Sequence, residues 1–165
     1  MFLDGKKIGL FGGSFDPAHL GHVHFSLQAI KLFNLDKVIW LISPGNPLKS
    51  IAPAPIHIRI EQAQKITNNP KVIISRVETE IGAKYSWETL DYLSVKYPRT
   101  KFVWLMGSDN LVQFHLWKNW RWLLVVPKKL CVQVADPHSF LGQSVVPNLW
   151  TRIPGISVHW CPHLD

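Results

Sequence analysis

Short runs of consecutive apolar residues alternate along most of the chain with segments in which apolar residues recur every three or four positions. The runs have the length of buried β-strands, and the segments have the period of amphipathic helices. Predicted strands cover residues 6–12, 37–42, 71–75 and 100–106, and predicted helices cover residues 22–33, 56–66, 86–96 and 112–123. In the helix over 56–66, Arg59, Glu61 and Lys65 are expected to face the solvent.

The pattern becomes less regular after residue 123. Residues 124–126 and 130–134 are predicted as one strand interrupted by Pro127, and residues 156–160 are a candidate last strand. Because strands and helices alternate, the strands are expected to be parallel and joined by right-handed crossovers. Residues 1–165 are therefore predicted to form a single α/β domain. Its architecture is a Rossmann-like, open and mainly parallel sheet of about five strands, with helices on both faces.

Composition limits the possible classes of protein. The chain has 165 residues, of which 47% are hydrophobic and 18% charged, as in globular domains. No apolar run is long enough to span a membrane, and the first residues lack the layout of a signal peptide. Cys131 and Cys161 form neither a disulfide framework nor a zinc-binding spacing. These features predict a cytoplasmic protein that does not associate with membranes.

The formal net charge of +7 raises the possibility of a nucleic-acid partner. The positive residues are scattered, however, and the largest clusters are pairs such as Lys6-Lys7 and Lys128-Lys129. No nucleic-acid partner is therefore predicted. A small polyphosphate ligand uses positive potential equally well, and a solvated basic surface is the simpler alternative.

The stretch from residue 8 to residue 22 carries the strongest chemical signal. A predicted strand ends at Gly12 and Gly13, an irregular Ser-Phe-Asp-Pro turn follows, and His19 and His22 open a predicted helix. Glycines permit close approach of backbone N–H groups, a helix start adds partial positive charge, and imidazoles add donors. The stretch therefore predicts an anion site. Residues 46–49 and 107–110 also follow predicted strands, so they are expected at the same edge of the sheet.

The run Gly-Gly-Ser-Phe-Asp-Pro-x-His-x-Gly-His over residues 12–22 resembles the signature of nucleotidyltransferases with the His-x-Gly-His motif, and most closely that of bacterial nicotinate-nucleotide adenylyltransferases. The resemblance implies a catalytic role for His19, His22 and Lys49 through contacts with the phosphates of ATP. Lys49 lies in an Asn-Pro-x-Lys segment that is similar to the one in this family. The implied ATP-binding residues are Gly12, Gly13, Ser14, Phe15, His19, His22, Gly107 and Asp109.

Two further segments resemble the part of the family that binds the nicotinate nucleotide. Residues 85–90 are similar to its Ser-Tyr-Thr-x-Asp-Thr-Leu segment, although Ser86 and Glu88 stand where threonine and aspartate are usual. Residues 106–120 resemble the segment that carries an aspartate and a tryptophan. The implied nicotinate-nucleotide-binding residues are Tyr85, Thr89, Asp109 and Trp117.

Each of these positions also has a structural alternative. Ser86 is a good N-cap for its own helix, and Thr89 could equally serve that helix. Trp117 and Trp120 repeat with Phe114 at helical spacing, which is also typical of core packing, and Trp120 is expected to be structural.

Metal binding by protein side chains is not predicted. His24 adds a third histidine to His19 and His22, but no acidic or thiol ligand accompanies them, so a zinc site is not expected. Asp16 could hold Mg²⁺ through water or cap the following helix, and it is not assigned as a ligand. The resemblance implies Mg²⁺ as a cofactor that enters with ATP, mainly through its phosphates.

The resemblance implies adenylyl transfer from MgATP to nicotinate mononucleotide, which gives nicotinate adenine dinucleotide and pyrophosphate in NAD biosynthesis. Two alternatives stay open: another phosphate acceptor, such as nicotinamide mononucleotide or phosphopantetheine, and a nucleotide-binding module with impaired turnover. The family's late Ile-Ser-x-Thr-x-Ile-Arg segment has no counterpart, so the C-terminal end is expected to be truncated and turnover to be weak. The sequence leaves a homo-oligomer open.

Overall fold

The computed structural model describes residues 3–45, 50–107, 110, 113–125, 129–134 and 156–160. Its strands in that part of the chain are β1 (Lys7–Gly13), β2 (Lys37–Ile42), β3 (Val72–Ser75), β4 (Lys101–Gly107), β5 (Lys129–Val134) and β6 (Ile156–Trp160). Its helices there are α1 (Leu20–Phe33), α2 (Ile56–Ile66), α3 (Val77–Glu80), α4 (Ser86–Lys96) and α5 (Trp122–Val125), and Phe114–Leu116 form a single 3-10 turn. No helix in the described ranges is long and apolar enough to cross a membrane.

The strands form one six-stranded sheet in the order β3-β2-β1-β4-β5-β6, and every neighbouring pair is parallel. This is the Rossmann order, so the predicted fold class is confirmed. The sheet is one strand wider than expected because residues 156–160 do form a strand. The chain adds β2 and β3 on one side of β1, and β4, β5 and β6 on the other. The order therefore reverses between β1 and β4, where ligands bind in such folds.

Both faces of the sheet are covered, which explains why its strands are apolar along nearly their whole length. Helices α1 and α2 cover one face, whose core includes Phe11, Trp40 and Leu105. Helix α4 covers the other face, where Trp104 is buried among Leu90 and its neighbours. The carboxyl ends of β1 and β4 meet between these two layers.

Two sequence-based expectations about the region after β4 are wrong. Residues 114–121 do not continue a helix: the chain forms a 3-10 turn, becomes extended at Trp117 and adopts a left-handed conformation at Asn119. This path brings the rings of Trp117 and Trp120 within 5.5 and 5.9 Å of the buried Phe114 ring. The predicted strand over 124–126 is also wrong, because α5 occupies Trp122–Val125 and β5 begins only after Pro127.

Candidate functional site

Residues 12–16, here called the glycine turn, lie at the carboxyl end of β1. A side-chain carbon added at Gly12 would come within 3.0 Å of Cζ2 of the Trp104 ring, and one at Gly13 within 3.2 Å of the Phe15 ring. Neither glycine has a positive φ. Glycine is therefore required at position 12 for packing, because the fully buried indole of Trp104 leaves no room for a side chain there.

Phe15 anchors the glycine turn to the core. Its ring is only 2% exposed, stacks on Trp40 with centroids 4.7 Å apart, and meets Phe11 edge-on at 5.3 Å. Its backbone has φ +49°, a left-handed conformation that costs a residue with a side chain roughly 1–2 kcal/mol. Since the ring is buried, only the backbone of Phe15 is available for the predicted contact with ATP.

His19 and His22 come together at the start of α1. His19 is the N-cap residue, and its backbone N–H donates a hydrogen bond of 3.2 Å to Nδ1 of His22. The two ring centroids lie 3.8 Å apart, and the His22 ring also packs against Phe15 at 4.8 Å. His19 itself is exposed. The pair thus lies beside the glycine turn, at a helix N-terminus, whose partial positive charge favours an anion.

The protonation state of His22 follows from its surroundings. Burial, and then the proximity of His19, lower the pKa of His22 to about 4, so its imidazole is neutral at pH 7. Because Nδ1 accepts the hydrogen bond from the His19 backbone, we infer that the single proton of the neutral ring lies on Nε2. His22 is therefore a neutral donor through Nε2.

Gly21 leaves room for the ring of His19 because it has no side chain. A side-chain carbon at Gly21 would lie 2.9 Å from both Nδ1 and Cε1 of His19, closer than atoms in contact approach. The glycine of the His-x-Gly-His run is therefore needed for the observed orientation of the first histidine. His24 takes no part in the pair, and no group of three metal-ligating side chains occurs among the described residues.

Arg59 is a central residue that the sequence reasoning missed. It was expected to face the solvent, but it is only 1% exposed, so that expectation is wrong. The guanidinium donates to the carbonyl oxygens of Ser14 (2.6 Å), Ser43 (2.8 Å) and Ala54 (2.7 Å). Helical spacing could have revealed it, because Arg59 lies three residues after Ile56 and four before the buried Ala63.

Asp16 also contacts the segment before α2. Its Oδ2 accepts a hydrogen bond of 2.8 Å from the backbone N–H of Ala54. Asp16 therefore does not cap α1, the alternative that the sequence left open, and its carboxylate instead joins the glycine turn to a second chain segment.

The segment that resembles the nicotinate-nucleotide site begins at the N-terminus of α4. Tyr85 is the N-cap residue and is 39% exposed. Oε2 of Glu88 accepts the backbone N–H groups of Lys84 (2.8 Å) and Tyr85 (3.0 Å). The expectation that Ser86 caps this helix is wrong: it is the first helical residue, and Glu88 supplies the capping contact as in a capping box.

Thr89 lies in the core and not at the surface. It is fully buried, and its Oγ1 donates a long hydrogen bond of 3.4 Å to Oε1 of Glu78. Glu78 is itself only 6% exposed, and burial raises its pKa to about 7, although the contact with Thr89 opposes this shift. The buried hydroxyl favours the structural alternative for Thr89.

The remaining predicted residues divide into two groups. Gly107 ends β4, two positions beyond the pairing of Phe11 with Leu105, so it lies at the same edge of the sheet as the glycine turn. Trp117 is half-buried against Phe114. Lys49 and Asp109 lie outside the described residues.

Comparison with known proteins agrees with this geometry. The family model described as cytidylyltransferase-like matches residues 10–155. A protein of Roseobacter denitrificans named probable nicotinate-nucleotide adenylyltransferase is 58% identical over 117 residues, which are 71% of this chain and 59% of that protein. A protein of Ruegeria pomeroyi with the same name is 50% identical over 133 residues, which are 80% of this chain and 62% of that protein. The chain thus spans less than two thirds of the length of these relatives.

Solved structures show the same fold. Nicotinic acid mononucleotide adenylyltransferase of Plasmodium falciparum, complexed with NaAD, has a TM-score of 0.75 at 19% identity and covers 97% of this chain and 77% of its own. A putative nicotinate-nucleotide adenylyltransferase from Vibrio parahaemolyticus has a TM-score of 0.60 at 22% identity over 78% of this chain and 72% of its own. The family match covers most of the chain, and it includes the glycine turn and strands β2 to β5 described above. The chain therefore belongs to the cytidylyltransferase-like family.

Proposed function

We propose that this protein transfers the adenylyl group of MgATP to nicotinate mononucleotide. The observation that carries the proposal is the pair His19 and His22, held at the start of α1 beside the glycine turn and at the switch point of the sheet. The names of the relatives from Roseobacter denitrificans and Ruegeria pomeroyi support the choice of acceptor.

The reaction needs no protein nucleophile. A phosphate oxygen of nicotinate mononucleotide attacks the α-phosphorus of ATP, and the bond from that phosphorus to the bridging oxygen of the β-phosphate breaks. The products are nicotinate adenine dinucleotide and pyrophosphate, whose oxygens take up the developing negative charge. Donors aimed at that charge lower the barrier. Nε2–H of His22 and the exposed ring of His19 are such donors, and the start of α1 adds partial positive charge.

Mg²⁺ enters this proposal as part of the MgATP substrate. No group of three His, Cys, Asp or Glu side chains that could hold a metal occurs in the described part of the chain. Asp16, the acidic residue of the glycine turn, already accepts a hydrogen bond from Ala54. This donor set suits an ion that is held mainly by the phosphates, and Lys49 is proposed to add a positive charge near them.

On the acceptor side, Tyr85 and Trp117 are the candidates best supported by their exposure. Tyr85 is partly exposed at the N-terminus of α4, and Trp117 is only half-buried; we propose that its ring stacks on the pyridine ring. Asp109 is proposed to bind a hydroxyl group of the nucleotide. A role for Thr89 would require its buried hydroxyl to become accessible, so its support is weakest.

The test is a pyrophosphate-release assay with ATP and a panel of acceptors: nicotinate mononucleotide, nicotinamide mononucleotide and phosphopantetheine. Loss of one such donor usually lowers kcat about 10²- to 10³-fold, and we expect this from His19→Ala and from His22→Ala. His57→Ala, on the exposed side of α2, is the matched control and should retain full activity.

Three outcomes would contradict parts of the proposal. Full activity in both histidine variants would remove the mechanism. A higher kcat/KM with another acceptor would change the substrate. Binding of ATP without pyrophosphate release from any acceptor would leave a nucleotide-binding module, the alternative from a different functional class.

A further inference from the structure

The buried guanidinium of Arg59 joins three chain segments at the carboxyl edge of the sheet. Ser14 belongs to the glycine turn, Ser43 follows the last residue of β2, and Ala54 lies just before α2. One side chain therefore holds the glycine turn against two segments that are 29 and 40 residues further along the chain, through carbonyl contacts of 2.6 to 2.8 Å.

Two other contacts reinforce the same junction. The backbone N–H of Ser43 donates to the carbonyl oxygen of Gly13 at 2.9 Å. The carboxylate of Asp16 accepts the N–H of Ala54 at 2.8 Å, while Arg59 binds the carbonyl oxygen of the same Ala54. The backbone N–H of Ala54 is thus bound to the glycine turn, and its carbonyl oxygen is bound to Arg59. The turn has little freedom to move without breaking several of these contacts.

The charge of Arg59 is not neutralised by a direct ion pair. No carboxylate of the described residues lies within ion-pair distance of it, and the three groups that its guanidinium binds are neutral carbonyl groups. Burial lowers the pKa of Arg59, and the negative charge of Asp16 raises it in opposition. A buried cation that lacks a paired carboxylate favours an anion bound nearby.

We propose that Arg59 is the positioning residue of the anion site: its planar fork fixes the glycine turn in the geometry that receives the phosphates of a nucleotide. Lysine is a poor replacement, because its three donors diverge from one nitrogen on a flexible stem, whereas Arg59 donates from Nε and Nη1 of a rigid planar group. That the nucleotide is ATP rests on the proposed function. The positioning role itself concerns any polyphosphate at this turn.

The first experiment compares Arg59→Lys with wild type in steady-state kinetics. Because a displaced glycine turn affects the phosphates first, we expect kcat/KM for ATP to fall about tenfold or more, with KM for the acceptor within about twofold of wild type. Ala63→Gly, at a buried position of the same helix, is the control. It weakens the helix without touching the turn, so it should leave both KM values unchanged.

A second readout needs no turnover and so separates this inference from the proposed function. Inorganic tripolyphosphate should raise the Tm of wild type and of Ala63→Gly equally, and it should raise the Tm of Arg59→Lys much less. If wild type adenylates no acceptor but Arg59→Lys still loses this stabilisation, the proposed function fails and the positioning role stands. Unchanged ATP kinetics together with an unchanged tripolyphosphate effect in Arg59→Lys overturn the inference. A wild type that neither turns over nor is stabilised overturns both.

If Arg59→Lys does not fold, the exposed Asp16 tests the same junction from the other side. Asp16→Ala removes the contact with Ala54, so we expect a higher KM for ATP and a smaller tripolyphosphate effect. Asp16→Asn keeps an oxygen acceptor without a negative charge and should restore both. Failure of Asn to rescue, or wild-type behaviour of Asp16→Ala, contradicts the positioning role.

Discussion

Glu78 is a buried carboxyl group whose ionisation should make the protein less stable at high pH. It lies on α3, 6% exposed, and its described hydrogen-bond partner is the hydroxyl of Thr89 at 3.4 Å. No ion pair with it occurs in the described part of the chain. Burial raises its pKa from the usual 4.5 to about 7. The variant that tests this is Glu78→Gln, which keeps the shape and the oxygen acceptor but does not ionise.

The size of the effect follows from proton linkage. Between pH 4.5 and about pH 7 the folded protein keeps a proton on Glu78 that the unfolded chain has released, so the free energy of unfolding falls as the pH rises. At about 1.4 kcal/mol per pH unit, this amounts to about 2.5 kcal/mol between about pH 5 and about pH 8. Glu78→Gln should lack this contribution at every pH.

Urea unfolding of both proteins at several pH values measures it. The quantity of interest is the difference in unfolding free energy between wild type and Glu78→Gln, because other titrating groups contribute equally to both. Burying the new amide costs about 1–3 kcal/mol, but this cost is independent of pH. Glu61→Gln, the same change at an exposed site paired with Lys65, is the control and should leave the pH dependence essentially unchanged. Parallel pH profiles for wild type and Glu78→Gln would refute the reasoning.

Three further predictions concern the site itself. Gly12→Ala places a methyl group 3.0 Å from the buried Trp104 ring, and such overpacking should cost about 1–3 kcal/mol of unfolding free energy in urea. Gly21→Ala places one 2.9 Å from the His19 ring, so we expect kcat in the pyrophosphate-release assay to fall while stability changes little. The low pKa of His22 predicts an NMR titration midpoint near 4, and the depressed value means that its contribution to stability is present above pH 6.5 and is lost as the pH falls toward about 4.

Each of these three predictions has an outcome that would contradict it, and the two glycine variants share one control. Gly45→Ala adds a methyl group that meets no atom of the described residues within 4 Å, so it should match wild type in stability and activity. A Gly12→Ala protein as stable as wild type would contradict the packing role of that glycine. Unchanged kcat in Gly21→Ala would show that the orientation of the first histidine does not matter. A midpoint of about 6 or above for His22 would contradict the inferred neutral donor.

The periodicity of apolar residues was sufficient to predict the layered architecture, but it was misleading about the burial of particular side chains. The runs that predicted strands at 37–42 and 100–106 form the two strands that flank β1 inside the sheet, because a parallel strand buried on both faces must be apolar along its length. Arg59 shows where the same reasoning fails. Its charge argued for the surface, but three carbonyl groups from separate segments satisfy it inside. Two of these partners, Ser14 and Ser43, lie 45 and 16 residues before Arg59, so no local pattern contains them.

The region after β4 illustrates a second kind of failure. Phe114, Trp117 and Trp120 have helical spacing, yet the described chain leaves the helix so that both tryptophan rings can pack on Phe114. At the start of α4, local propensity favoured Ser86 as the cap, whereas Glu88 makes the contact three residues after Tyr85. In the first case packing on Phe114 accompanies the departure from a helix, and in the second the side chain of Glu88 reaches the N–H groups of Lys84 and Tyr85.

The order of amino acids along the chain was enough to predict the alternation of strands and helices and the parallel sheet. It also predicted the glycine turn and two histidines at the start of a helix. These depend on interactions between residues a few positions apart, which the amino-acid order states directly. Only three-dimensional packing decided that Arg59 joins three segments, that Thr89 faces Glu78 in the core, and that Trp104 excludes a side chain at Gly12. Apart from Arg59 and Ala54, which are five residues apart, the partners in those contacts lie between 11 and 92 residues apart, so the folded chain alone brings them together.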